Sequence, residues 1–129
     1  MKKEDWLKPV ARKVVAGIES GRLRGTIASA AVLHEMYYVF SEHAPLDTIL
    51  ADFGRVVTIK NLAFLSPDTD VYLSALHLSR TYGVTSFFDA VYAATALSSA
   101  VPDHKILSTD SVYDRIPGLK HINPDELGL

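Results

Sequence analysis

The longest apolar stretch of this chain lies between residues 87 and 97, where almost every side chain is apolar or small. This pattern predicts a helix that is buried on most of its sides. Gly83 suits the left-handed position just past a preceding helix, and the hydroxyl of Thr85 or Ser86 can cap the helix that follows. Asp89 is the single carboxylate in the stretch, and an ionised group beside apolar surface is costly unless something pairs with it.

Apolar residues at helical spacing predict four further helices. They are expected from a cap at Asp5 to about Ser20, from a cap at Ser29 to about Ser41, from Pro45 to about Val56, and from Asp68 to Tyr82. On the second and third of these helices, the residues expected to face the core are Val32, Leu33, Met36, Tyr37 and Phe40, and Leu46, Ile49, Leu50, Phe53 and Val56.

Short apolar runs between these helices predict strands at residues 26–28, 105–107 and 120–122. Residues 62–65 could form a short edge strand or an extended connection. Helices separated by short apolar runs predict an α/β layered fold with a mainly parallel sheet.

Composition narrows the class of protein. A chain of 129 residues with 48% hydrophobic and 22% charged side chains fits a single domain, residues 1–129, with its own core. A formal net charge of −2 argues against nucleic-acid binding driven by bulk charge. The absence of cysteine excludes disulfides and thiolate metal sites. No apolar run approaches the roughly 20 residues that cross a bilayer, so we expect a cytoplasmic protein without membrane association.

Three isolated acids stand out. Glu35 lies within the second helix, one turn from Ala31 and Val39 and too far inside to act as a cap. Asp110 follows the strand at residues 105–107, and open α/β sheets bind their ligands at the carboxyl ends of strands.

Each acid has a simple structural explanation. Asp89 can form a capping box with Ser86, Asp110 can cap the turn that follows it, and Glu35 can reach water past small neighbours. Together, however, three converging carboxylates would repel one another unless a cation neutralised them. An all-oxygen cluster suits Mg²⁺ or Mn²⁺ rather than zinc, and such a site can promote hydrolysis of a phosphodiester.

Three segments carry a resemblance to the PIN domains. Residues 29–40, SAAVLHEMYYVF, resemble the second PIN helix with its internal glutamate, and residues 82–97, YGVTSFFDAVYAATAL, resemble the helix that carries the third acid. Residues 106–124 resemble the C-terminal signature of the family, with Ser-Thr-Asp followed by Tyr-Asp, Gly-Leu and Ile-Asn-Pro. The closest likeness is to the VapC-type toxins, which are ribonucleases of toxin–antitoxin pairs.

The resemblance implies a three-layer α/β/α fold and a specific site. Glu35, Asp89 and Asp110 would be the catalytic residues, holding Mg²⁺ or Mn²⁺ and orienting the attacking water. Asp114 would be an additional outer acid, and the hydroxyl of Ser108 or Thr109 would support the ligands from behind. An RNA substrate, an antitoxin protein as partner and a homodimer are implied in the same way.

One departure leaves the function open. A PIN domain normally begins with a hydrophobic strand that ends in Asp, and we expect this first strand and its acid to be missing here. The chain could therefore be a catalytically silent PIN-like module that binds RNA or a protein, or an unrelated α/β domain whose acids are only caps. The five histidines show no paired metal-binding spacing and are expected to be surface or capping groups.

Overall fold

A computed structural model describes residues 9–129, which form two compact units. Residues 9–65 together with Leu129 make up the first unit, and residues 66–128 make up the second. The predicted cap at Asp5 and the predicted lack of a strand before the first helix concern residues outside the described range. The expectation of a single domain stays a prediction.

The first unit contains three helices and two short strands. In chain order these are α1 (Pro9–Glu19), β1 (Ile27–Ser29), α2 (Ala31–Phe40), α3 (Leu46–Val57) and β2 (Ala63–Leu65). Strand β1 pairs in parallel with β2, so the segment at residues 62–65 is a strand rather than an extended connection. Ser29 ends β1, and its hydroxyl accepts the Ala31 N–H at 3.2 Å where α2 begins.

The second unit contains two long helices, two strands and two short 3₁₀ helices. They are α4 (Thr69–Tyr82), α5 (Phe87–Leu97), β3 (Lys105–Leu107), a 3₁₀ helix at Ser111–Arg115, β4 (Lys120–Ile122) and a 3₁₀ helix at Pro124–Leu127. Strands β3 and β4 pair in parallel, with Lys105 opposite Lys120 and Ile106 opposite His121. Both strands have the predicted bounds, and the parallel pairing in both units confirms the predicted α/β class.

Small side chains on two helices form the core of the second unit. Ala75 on α4 and Ala90 and Ala93 on α5 have no solvent exposure, and Val91 is fully buried beside them. Because alanines let two helix backbones approach closely, α4 and α5 pack along much of their length. The prediction that residues 87–97 are buried on most sides is confirmed.

The predicted inward face of α3 is partly wrong. Ile49 and Val56 are buried, but Leu46 and Leu50 are 68% and 71% exposed. The buried stripe instead includes Asp52, whose charge pairs with Arg55 one turn further along the helix. Periodicity allowed two overlapping stripes, and an ion pair of this kind makes it possible to bury a carboxylate on the stripe that packs.

The predicted face of α2 also needs a correction. Ala31 and Met36 are buried, whereas about half of the Tyr37 side chain is exposed. Tyr37 therefore lies at the edge of the apolar stripe, as suits an amphipathic side chain. Within residues 9–129, no helix is both long enough and apolar enough to span a bilayer.

Candidate active site

Local sequence places Asp89 in the first turn of α5. Gly83 ends α4 in the left-handed conformation, with φ of 67°, and its N–H donates to the Ser79 carbonyl at 3.0 Å. Ser86 then caps α5, its hydroxyl accepting the Asp89 N–H at 3.4 Å. The capping part of the simple explanation is thus confirmed for Ser86, and it leaves the Asp89 carboxylate near the positive end of the helix dipole.

The Asp89 carboxylate lies in a mixed environment. It is half-buried, and the hydroxyl of the buried Tyr113 donates to its Oδ1 at 3.3 Å. Burial raises the pKa of Asp89 above its ordinary value, and the negative charge of Asp110 raises it further. Hydrogen bonds with Tyr113 and Ser86 oppose this rise only in part. The hydrogen bonds that the protein provides therefore do not fully offset the cost of ionising the Asp89 carboxyl.

Asp110 lies directly after β3, where it caps the 3₁₀ helix at Ser111–Arg115. Its Oδ1 accepts the Val112 N–H at 2.9 Å, and its own N–H donates to the Ser108 hydroxyl at 3.0 Å. The predicted capping role of Asp110 is confirmed. The Ser108 hydroxyl lies at the Asp110 N–H, and its role in supporting a metal ligand stays a prediction. Thr109 is exposed, and its role stays a prediction.

Within the second unit, Asp110 is near enough to Asp89 for its charge to add to the raised pKa of the Asp89 carboxyl. The 3₁₀ helix that follows Asp110 is tied to the loop before α5, because the Arg115 guanidinium donates to the Gly83 carbonyl at 3.4 Å. Mg²⁺ is commonly bound by one or two carboxylates together with water and substrate phosphates. The pair supplies only oxygen ligands, and a cation would relieve the repulsion between them, so these residues fit Mg²⁺ or Mn²⁺.

Glu35 belongs to the other unit, where it lies half-buried in the middle of α2. Its neighbour Val39, one turn further along α2, is exposed. Among residues 9–129, no three His, Asp or Glu side chains cluster closely enough to hold a metal ion. The structure brings together two of the predicted acids, and the role of Glu35 as a third ligand stays a prediction.

The part played by His121 was not predicted from the sequence. Its side chain is only 10% exposed, and Nδ1 lies 2.9 Å from Oδ1 of Asp114, which is itself 65% exposed. Its Nε2 lies 2.7 Å from the Ser108 carbonyl oxygen. The hydrogen bond to Ser108, followed by that to Asp114, raises the pKa of His121. Of the two roles expected for the histidines, surface or capping, the first does not apply to His121. Asp114, whose role as an outer acid stays a prediction, pairs with this ring.

Tyr113 is a second residue whose contacts the sequence did not predict. Its hydroxyl reaches Asp89, and its ring lies 6.0 Å from that of His121. The only sequence signal for either contact was the Tyr-Asp pair at residues 113–114 and the strand at 120–122. Neither signal gives the register of β3 against β4, on which both contacts depend.

Comparison with protein families gives a clear result. The family model for the PIN domain matches residues 8–119. No curated protein and no solved structure gives a significant match to the chain. PIN domains form a nuclease superfamily, and they generally use divalent metal ions. Because the match covers most of the sequence and agrees with the parallel α/β pairing, this chain belongs to the PIN domain family.

Proposed function

We propose that this chain is a ribonuclease that depends on Mg²⁺ or Mn²⁺. One observation carries the proposal: the carboxylates of Asp89 and Asp110, at the start of α5 and the end of β3, are close enough for one charge to raise the pKa of the other. Burial and the charge of Asp110 both disfavour the ionised form of Asp89, and a bound cation would offset that cost. Glu35 is proposed as the third acid of the site.

The residues of the second unit have distinct roles in this proposal. A divalent ion held there would lower the pKa of a bound water and stabilise negative charge on the phosphodiester. Tyr113 holds one oxygen of Asp89 by a hydrogen bond, which fixes the direction of the carboxylate. The Ser108 hydroxyl fixes the backbone of Asp110. Partial burial of Asp89 strengthens its attraction for a cation, because the local dielectric constant is lower than in water.

Family membership supports the finer parts of the proposal. We propose RNA as the substrate, an antitoxin protein as the partner of a VapC-type toxin, and a cytoplasmic location. A homodimer is also proposed, and the exposed leucines of α3 support it: Leu46 and Leu50 lie one turn apart. Exposed apolar patches of this kind commonly mark protein contacts.

Cleavage assays with matched variants test the proposal. We expect the protein to cleave single-stranded RNA with Mn²⁺ or Mg²⁺ and to stop when EDTA is added. Asp89→Asn and Asp110→Asn should each lower kcat by about 100-fold or more, since even residues behind a metal ligand account for 10–100-fold. Asp70→Asn is the control, because Asp70 is an exposed acid in the first turn of α4.

The same assay separates the alternatives. Cleavage that persists at full rate in Asp89→Asn would come from a contaminating nuclease and would remove the support for the proposal. RNA binding without cleavage at any metal concentration would instead favour the catalytically silent module.

A further inference from the structure

The ring of His121 bridges two acceptors that lie on either side of Asp110 in the sequence. Nε2 meets the Ser108 carbonyl oxygen at 2.7 Å, and Nδ1 meets Oδ1 of Asp114 at 2.9 Å. A carbonyl oxygen and a carboxylate oxygen can only accept hydrogen bonds. The ring therefore makes both bonds only when both of its nitrogens carry hydrogen, and the carboxylate of Asp114 matches the charge of that form.

Strand pairing holds the Ser108 end of this bridge in place. His121 lies on β4, opposite Ile106 of β3. The Ser108 N–H donates to the Ile122 carbonyl at 3.1 Å. Both main-chain groups of Ser108 are thus bonded to β4, one through the backbone and one through the imidazole. The Ser108 hydroxyl in turn accepts the N–H of Asp110.

The Asp114 end of the bridge holds the 3₁₀ helix. Asp114 lies in the same short helix as Tyr113, whose hydroxyl donates to Asp89. The helix begins at the Asp110 cap. One imidazole therefore connects the residue that supports Asp110 to the helix that presents Tyr113 to Asp89.

We propose that His121 is a positioning residue, whose two hydrogen bonds clamp residues 108–114 so that Asp110 and Tyr113 keep their places beside Asp89. The low exposure of the ring, 10%, means that water cannot easily replace either bond. The consequence of the clamp for metal binding and catalysis rests on the proposed function. The clamp itself consists only of groups of this chain.

The first experiment tests the clamp in the absence of metal. His121→Phe keeps an aromatic ring beside Tyr113 and removes both bonds. We expect amide hydrogen exchange at Asp110 and Val112 to become roughly five- to tenfold faster, the effect of losing a typical hydrogen bond. Exchange within α5 should stay unchanged. His77→Phe is the control, because His77 is exposed on α4 in the same unit.

A second experiment changes Asp114, the exposed partner in the hydrogen bond with His121. It tests the clamp even if His121→Phe does not fold. Asp114→Ala removes one bond at an exposed position, and exchange at Val112 should become faster. Asp114→Asn keeps an acceptor oxygen and should restore slow exchange. Unchanged exchange in a folded His121→Phe protein, or in Asp114→Ala, would overturn the clamp.

A third experiment links the clamp to the site. The Kd for Mn²⁺ should rise by about 10–100-fold in His121→Phe, as for other residues that orient a ligand from behind, and His77→Phe should bind as the wild type does. If the wild type neither binds Mn²⁺ nor cleaves RNA, the proposed function fails while the exchange result still decides the clamp. If the wild type binds and His121→Phe binds equally well, the positioning role fails and the proposed function stands.

Discussion

At the scale of single residues, Asp89 combines a favourable backbone position with an unfavourable charge. The first turn of α5 suits an acid because of the helix dipole, but burial and Asp110 raise the pKa of its carboxyl. A folded-state pKa above the unfolded value means that the folded protein binds the proton more tightly. The contribution of Asp89 to the free energy of unfolding is therefore greatest below the pKa that this residue has in the unfolded chain. It is lost as pH rises through the pKa of Asp89 in the folded protein.

This sign gives the first prediction. Asp89→Asn should increase the free energy of unfolding of the metal-free protein at neutral pH, because the amide keeps an acceptor for Tyr113 and removes the charge. The difference from the wild type should grow as pH rises from the unfolded pKa of Asp89 and level off above the folded pKa. Urea denaturation in EDTA over this range measures it. A loss of about 1 kcal/mol at neutral pH, as when a stabilising cap is removed, would contradict the prediction.

At the scale of elements, the packing of α4 on α5 depends on side-chain size. Ala75 is completely buried on α4, and a larger side chain there must push the helices apart. We expect Ala75→Leu to lower the free energy of unfolding by about 1–3 kcal/mol. Ser74→Leu, at the exposed neighbouring position, should stay within about 0.5 kcal/mol of the wild type. Thermal and urea unfolding measure the stability of both variants. Equal free energies of unfolding would show that the α4–α5 interface can accommodate the larger side chain.

The elements also show which features could be predicted from sequence. The caps at Ser86 and Asp110 and the left-handed Gly83 follow from chemistry within four residues, and all three are confirmed. Strands β3 and β4 have the predicted bounds because turn residues delimit each short apolar run.

Features that depend on distant residues were not predictable in this way. The buried face of α3 depends on which of two overlapping stripes meets its neighbours, and the sequence does not show that the stripe with Asp52 is the buried one. The contact of His121 with Ser108 depends on the register of β4 against β3, which residues 13 positions apart in sequence do not reveal. The two acids and their caps were visible in the sequence, whereas the hydrogen bonds of Tyr113 and His121 were not.

At the scale of the whole molecule, the proposed homodimer makes a prediction about the first unit. We expect the double variant Leu46→Glu, Leu50→Glu to change a dimer into a monomer in sedimentation experiments, because buried charges without partners are costly at an interface. Thr48→Glu, at another exposed position of α3, is the control and should leave the dimer intact. A monomeric wild type, or a double variant that remains dimeric, would exclude α3 as the dimer contact.

The stability of the whole chain should also respond to metal, and this response should depend on Asp89. A ligand at 100 times its Kd stabilises the folded state by about 2.7 kcal/mol, which corresponds to a rise in Tm of roughly 10 °C for a domain of this size. We expect this rise when Mn²⁺ is added to the wild type or to Asp70→Asn.

Asp89→Asn should lose the rise in Tm although it begins from a higher value in EDTA. Asp89→Asn should therefore melt above the wild type in EDTA and below it in Mn²⁺. The reason is that the Asp89 charge destabilises the fold without metal and binds the cation when metal is present. Differential scanning calorimetry with and without Mn²⁺ measures both states. An aspartate that served only the start of α5 could not produce this reversal, because its removal would change the two melting temperatures by the same amount.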